Sequence, residues 1–103
     1  MKVATHKISV TVDSGSIQVN PDSLVMTSAD EVYWGGTNAR AFTIAFDNEG
    51  PFGQRNLSHA DAVSRKKPRS KGRFKYTVIS VENPGLQLDP EIIIEDPPTG
   101  DKP

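Results

Sequence analysis

Few residues of this 103-residue chain could carry chemistry, and its two histidines are the first to consider. His6 precedes the first predicted strand, and His59 lies in a segment that also holds Ser58 and Asp61, so a hydroxyl, an imidazole and a carboxylate stand close together. Residues adjacent in sequence seldom converge on one reacting atom, and no strained nucleophile turn surrounds these. A metal site built from both imidazoles would need carboxylates such as Asp61 as further ligands. We interpret the histidines as unrelated surface residues and expect no catalytic site and no cofactor.

Composition excludes other classes of chemistry. The chain contains no cysteine, so disulfides, thiolate nucleophiles and thiolate metal sites are excluded. Its 12 Lys and Arg nearly balance its 13 Asp and Glu, so the overall charge indicates no particular partner. The first residues lack an apolar run of the length of a secretory signal, and no stretch approaches a membrane span. The chain as written is therefore expected in the cytoplasm, unless a signal has been removed.

A basic segment at 65–75 is the best functional lead, because it holds seven of the twelve cations and no anion. With Phe74 and Tyr76 in or beside it, it could follow a phosphate backbone and stack bases, or contact an acidic protein. Those rings are better explained as core, the net charge of −1 opposes nucleic acid, and a solvated loop is the simpler interpretation. Contact with the acidic segment after residue 81 would also neutralise the run. The candidate anion-binding residues are Arg65, Lys66, Lys67, Arg69, Lys71, Arg73 and Lys75.

The elements that must position these residues are short strands, because apolar and polar residues alternate in many short runs separated by Gly, Pro, Asn and Asp. Ser58 followed by Asp61 permits one short helix near 57–63, with Ser58 as its N-cap. We predict one domain at 1–95 and, from composition, a disordered tail at 96–103. The predicted strands cover residues 7–12, 17–19, 24–26, a run ending at 34, 42–46, 73–81 and 91–95.

The stretch 31–46 is the richest in aromatic side chains, and in it two β-rich runs flank a Gly-Gly-Thr-Asn turn. We expect these runs to pair as a central hairpin whose large rings fill the core.

In the 73–81 run the apolar face changes near Val78, which predicts a bulge or burial on both sides. About seven such strands predict an all-β fold, a Greek-key β-sandwich, with a small barrel as the alternative. The predicted core is Trp34, Phe42, Ile44, Phe46, Phe74, Tyr76, Val78, Ile92 and Ile94.

The order of these motifs resembles the cupredoxin family over roughly residues 8 to 95. The first half of the likeness joins three short apolar-polar patterns that end at Leu24, Trp34 and Phe46. The second half joins the pattern that begins at Gly72 to the one that ends at Ile94. The motifs are Ile17-x-Val19-x-Pro21-Asp22-x-Leu24, Asp30-x-Val32-x-Trp34, Phe42-x-Ile44-x-Phe46, Gly72-Arg73-Phe74-Lys75-Tyr76-Thr77-Val78 and Leu88-Asp89-Pro90-Glu91-Ile92-Ile93-Ile94.

The resemblance also implies where copper ligands should be, and this chain departs from the family there. A histidine is expected within 38–42, a cysteine at Val78, and a histidine with a methionine within 82–88, and all three are missing. Blue copper needs one thiolate and two imidazoles. We therefore expect a non-enzymatic, copper-free interaction or structural module of unknown partner. A metal-binding or electron-transfer protein and a binder of anionic partners through 65–75 remain the alternatives.

Overall fold

The computed structural model describes residues 4–13, 15–38 and 40–97, which form two β-sheets packed face to face. Within these ranges, two short helical turns lie between strands: a 3₁₀ turn at Gly50–Phe52 and the helix α1 (His59–Val63). In chain order the described strands are β1 (Thr5–Val12), β2 (Ile17–Asn20), β3 (Ser23–Thr27), β4 (Glu31–Gly36), β5 (Phe42–Phe46), β6 (Asn56–Leu57), β7 (Gly72–Ser80), β8 (Gln87–Leu88) and β9 (Glu91–Glu95).

The smaller sheet has the order β2-β1-β4, in which β1 runs antiparallel to β2 and parallel to β4. The larger sheet has the order β3-β9-β7-β5-β6, and β8 pairs with β7 in addition. Alternation places every second side chain of each strand in the core between the sheets. Ile8, Val10 and Val12 of β1 and Val32 and Trp34 of β4 are accordingly buried. The two-sheet arrangement confirms the predicted β-sandwich.

The predicted central hairpin is wrong, because β4 and β5 belong to different sheets. Beyond the end of β4, the crossover stays against β1, where Thr37 N–H donates to Val10 O and Asn38 Nδ2 donates to Val12 O. The apolar side chains of the two runs therefore enter the core from different sheets instead of lying side by side in one sheet. Local alternation predicts strands but not their partners, and this accounts for the error.

Of the two explanations predicted for the changing apolar face of β7, a bulge or burial on both sides, the bulge is wrong. The pairing of β7 with β5 keeps one register from Phe42–Ser80 to Phe46–Tyr76, and Ser80 is buried like the other inward residues. The apolar residues that broke the sequence pattern have another explanation. Ile79 faces outward and is half-buried, while Val81 follows the strand and is exposed.

The core contains all the predicted residues, with Phe74 only half-buried against it. Trp34 of the smaller sheet and Tyr76 of the larger sheet meet edge to face, with ring centroids 5.4 Å apart. The indole Nε1–H of Trp34 donates to the Tyr76 hydroxyl at 3.2 Å. The two largest buried side chains are thereby joined across the sandwich.

The predicted short helix is confirmed as α1. The side-chain oxygen of Ser58 accepts the N–H of Asp61, which satisfies one of the free donors at the helix start. Ala62 is the buried residue of the helix, and it joins the core.

Among the described residues, no helix is long and apolar enough to cross a membrane. Most of the predicted tail, residues 98–103, lies outside the described ranges.

Candidate functional site

Two fully buried hydrocarbon side chains stand at implied ligand positions in the region where the resemblance places a copper site. Val78, at the implied cysteine position, is fully buried in β7 between Ile44 of β5 and Leu88 of β8. Phe42, which opens β5, is fully buried as well, and its ring packs edge to face on His59 with centroids 4.8 Å apart. No sulfur or imidazole donor is available at the position of Val78.

The loops at this end are closed by hydrogen bonds. Phe42 N–H donates to His59 Nδ1 at 3.3 Å, so that ring nitrogen acts as an acceptor from the backbone. Val81 N–H donates to Ala41 O at 3.2 Å, and the Ser80 hydroxyl accepts Asn83 N–H at 3.1 Å. In the ranges that the structure describes, no three His, Cys, Asp or Glu side chains are grouped so as to hold a metal ion. The residues present do not fit a blue copper centre.

His6 has a structural role at the other end of β1. Its Nε2 lies 3.1 Å from Asp30 Oδ2, and Asp30 also accepts the N–H groups of Ala4 at 3.2 Å and Thr27 at 3.1 Å. The two histidines lie in separate elements, as expected, but each is engaged with the protein rather than free at the surface.

The buried Asp30 carboxylate is stabilised as an anion. Its burial acts to raise the pKa, but hydrogen bonds from Thr27 N–H, His6 and Ala4 N–H, with the charge of His6, outweigh that effect. The pKa of Asp30 therefore lies below its ordinary value of 3.8. We interpret this carboxylate as a structural group, because all of its described hydrogen-bond partners are groups of the protein itself.

In the segment 58–61 the serine and the histidine have different described hydrogen-bond partners. The Ser58 hydroxyl is engaged in capping α1, and His59 Nδ1 accepts the Phe42 N–H. Among the described hydrogen bonds, none joins the Ser58 hydroxyl to the His59 imidazole.

The cations of the basic segment 65–75 lie in five different environments. Lys66 points inward: its Nζ lies 5.5 Å from the centroid of the Trp34 ring and donates to Ala62 O, at 3.2 Å, and to Ser64 O. Desolvation lowers the pKa of Lys66 to about 8, and the charge of Asp61 opposes that shift. This side chain covers the core and does not present its charge to a partner.

Two further cations of the segment contact the acidic C-terminal part of the chain. Lys71 Nζ lies 2.6 Å from Asp96 Oδ1, and Arg73 Nε lies 3.8 Å from Glu91 Oε1. The basic and acidic segments thus meet in part, as the sequence allowed. Arg69 lies against the loop at Gly53, so it too is set apart from the others.

The remaining cations stand beside residues that the sequence did not single out. Lys66 forms an antiparallel bridge with Val32, so 65–67 extends the smaller sheet beyond β4. Because Lys66 points inward, its neighbours Arg65 and Lys67 point outward. The Arg65 guanidinium lies 5.9 Å from the centroid of the Tyr33 ring.

Lys7 completes this surface from the other side of Tyr33. The pairing of β1 with β4 sets Lys7 beside Tyr33, and the Lys7 side chain runs across Gly35. We call the set of Lys7, Tyr33, Arg65 and Lys67 the basic face. The sequence signal was the outward position of Lys7 and Tyr33 in their strands, but the parallel pairing that unites them could not be read from it.

Lys75 borders a polar pocket of about 200 Å³ on the outside of the larger sheet. Asp47, Thr77 and Asp89 also line the pocket, and the Thr77 hydroxyl donates to Asp89 Oδ1 at 2.8 Å. Two carboxylates and one ammonium give this pocket mixed charge. This mixed charge distinguishes the pocket from the basic face.

Comparison with solved structures identifies the fold. A pseudoazurin from Sinorhizobium meliloti aligns with a TM-score of 0.61 and 13% identity, over 92% of this chain and 76% of the pseudoazurin. The oxidised plastocyanin from Dryopteris crassirhizoma aligns with a TM-score of 0.55 and 16% identity, over 86% of this chain and 99% of the plastocyanin. No protein-family model and no curated protein sequence matches the chain. The chain has a cupredoxin-like fold, as the sequence motifs predicted.

Proposed function

We propose that this protein is a non-enzymatic interaction or structural module that uses the cupredoxin-like fold without a copper centre. The observation that carries the proposal is the buried Val78 at the position of the thiolate ligand. A thiolate and two imidazoles are the ligands that define blue copper sites. Without them the fold still offers two sheet faces and several loops as contact surfaces.

Titration with copper(II) tests the proposal. Visible absorption and the histidine NMR resonances are followed on the wild type and on the variants His6→Gln and His59→Gln. We expect no thiolate-type absorption and no saturable change of either imidazole. Micromolar binding at a defined stoichiometry would contradict the proposal, and the variant that abolishes it would locate the ligand.

A second candidate function is binding of an anionic partner through part of the segment 65–75. It is favoured by the position of Arg65 and Lys67, which project from the edge of the smaller sheet. Lys71 and Arg73 are weaker members of this candidate, because each already has a carboxylate of the same chain as its ion-pair partner. For this candidate function we select Arg65 and Lys67, the two of the seven cations that lie on the basic face.

A further inference from the structure

We infer that the basic face binds an acidic segment of a protein partner, an inference that rests on the proposed interaction function. The face combines strands that are far apart in sequence. Lys7 lies on β1, Tyr33 on β4, and Arg65 with Lys67 on the added edge, so that Lys7, Tyr33 and Arg65 form one row across the sheet.

The charge of this row is left uncompensated by its own sheet. Among the outward residues of β1, β2 and β4, only Glu31 is acidic, and the others apart from Lys7 and Tyr33 are small or uncharged polar residues. None of the described ion pairs involves Lys7, Arg65 or Lys67. By contrast, the cations of 71–73 face carboxylates of the C-terminal part.

Arg65 is held in a defined position. Its guanidinium packs over the Tyr33 ring, which restricts the side chain while leaving its donors available to an acceptor. A carboxylate, like a phosphate, can accept two parallel hydrogen bonds from the planar guanidinium. Lys7, which lies across Gly35, offers a second and less directional positive charge.

The width of the row selects among anionic partners. Two strand spacings separate Lys7 from Arg65, which places their backbones about 10 Å apart. Alternate carboxylates on an extended peptide point to the same side about 7 Å apart, a spacing that the long side chains of Lys7 and Arg65 can reach from their two strands. A nucleic acid gains its affinity from many phosphates that contact a long track of cations. The basic face has three cations, so a nucleic acid would extend beyond them onto the rest of a protein whose net charge is −1.

An NMR titration with a glycine-flanked tetraglutamate peptide tests the inference at low and physiological salt. A glutamine peptide of the same length and a thymidine oligonucleotide of equal charge are the comparison probes. We expect shifts centred on the amides of Lys7, Tyr33 and Arg65 with the glutamate peptide only, and weaker binding at higher salt.

A matched pair of variants locates the surface. Lys7→Gln/Arg65→Gln and Lys71→Gln/Arg73→Gln change the net charge equally, and thermal unfolding checks that both are folded. The first pair should weaken binding by about fivefold and the second by less than about twofold. Equal losses, tighter binding of the oligonucleotide, or no binding at low salt would overturn the inference. Copper binding would overturn the proposed function instead, and it would leave these peptide titrations interpretable.

Discussion

At the scale of single residues, one hydrogen bond inside the core distinguishes two similar aromatic side chains. Tyr76 accepts the indole N–H of Trp34, so Tyr76→Phe would leave a buried donor unpaired. We expect this change to lower the free energy of unfolding by about 1–3 kcal/mol at neutral pH. Tyr33→Phe, in a half-buried outward position, is the matched control and should cost less than about 0.5 kcal/mol. Urea unfolding measures both, and equal effects would contradict the importance of the Trp34 contact.

The burial of Tyr76 also predicts that the free energy of unfolding falls at alkaline pH. Burial raises the pKa of Tyr76 well above its ordinary value of 10.0. The unfolded chain therefore loses this proton at a pH where the folded protein keeps it, and stability should fall as the pH rises above about 10. Because phenylalanine does not titrate, the stability difference between wild type and Tyr76→Phe should narrow there. A difference that stays constant between pH 8 and 11 would contradict the assignment.

Gly50 makes a second prediction at this scale. Its φ is 62°, in the left-handed region, and a Cβ added there would lie 2.6 Å from Phe46 Cγ. Gly50→Ala should therefore cost at least about 2 kcal/mol in urea unfolding, from backbone strain and overpacking together. Gly15→Ala, where a Cβ meets nothing within 4 Å, is the control and should change stability by less than about 1 kcal/mol. Similar costs at the two positions would disprove this account.

At the scale of elements, strand positions could be predicted from sequence, but strand partners could not. The alternation of Ile8, Val10 and Val12 is local information, and β1 forms where the alternation predicts it. The parallel pairing of β1 with β4, and the crossover that separates β4 from β5, depend on contacts that no local pattern encodes. The candidate site follows the same rule: Arg65 was identified from its charge, whereas Lys7 and Tyr33 became visible only through pairing.

The segment 65–67, which extends the smaller sheet beside β4, gives a prediction at the scale of elements. Lys66 is drawn inward by its bridge to Val32, and its ammonium contacts carbonyls at the end of α1. Since desolvation lowers its pKa from 10.5 to about 8, the unfolded chain binds more protons than the folded protein between these values. This group should therefore add stability as the pH rises from about 8 to 10.5. Lys66→Met should remove that gain in urea unfolding, with Lys67→Met as the matched control. An unchanged slope in Lys66→Met would contradict the prediction.

At the scale of the whole molecule, the two sheets are joined at the end of the sandwich by Asp30 as well as in the core. Its carboxylate accepts the N–H of Thr27 from the larger sheet and contacts Ala4 and His6 at the start of the smaller sheet. Asp30→Asn should lower the free energy of unfolding by about 1–3 kcal/mol at pH 7, because a neutral amide cannot replace all of these contacts.

The acid dependence of this variant provides the stricter test. The lowered pKa of Asp30 means that its contribution is complete above its ordinary value of 3.8 and is lost as the pH falls through the folded value below that. The stability difference between wild type and Asp30→Asn should therefore shrink when urea unfolding is repeated from pH 7 down to pH 3. The exposed Asp13→Asn controls for the loss of one carboxylate. A difference that persists undiminished in acid would show that the packing of residue 30, and not its charge, joins the sheets.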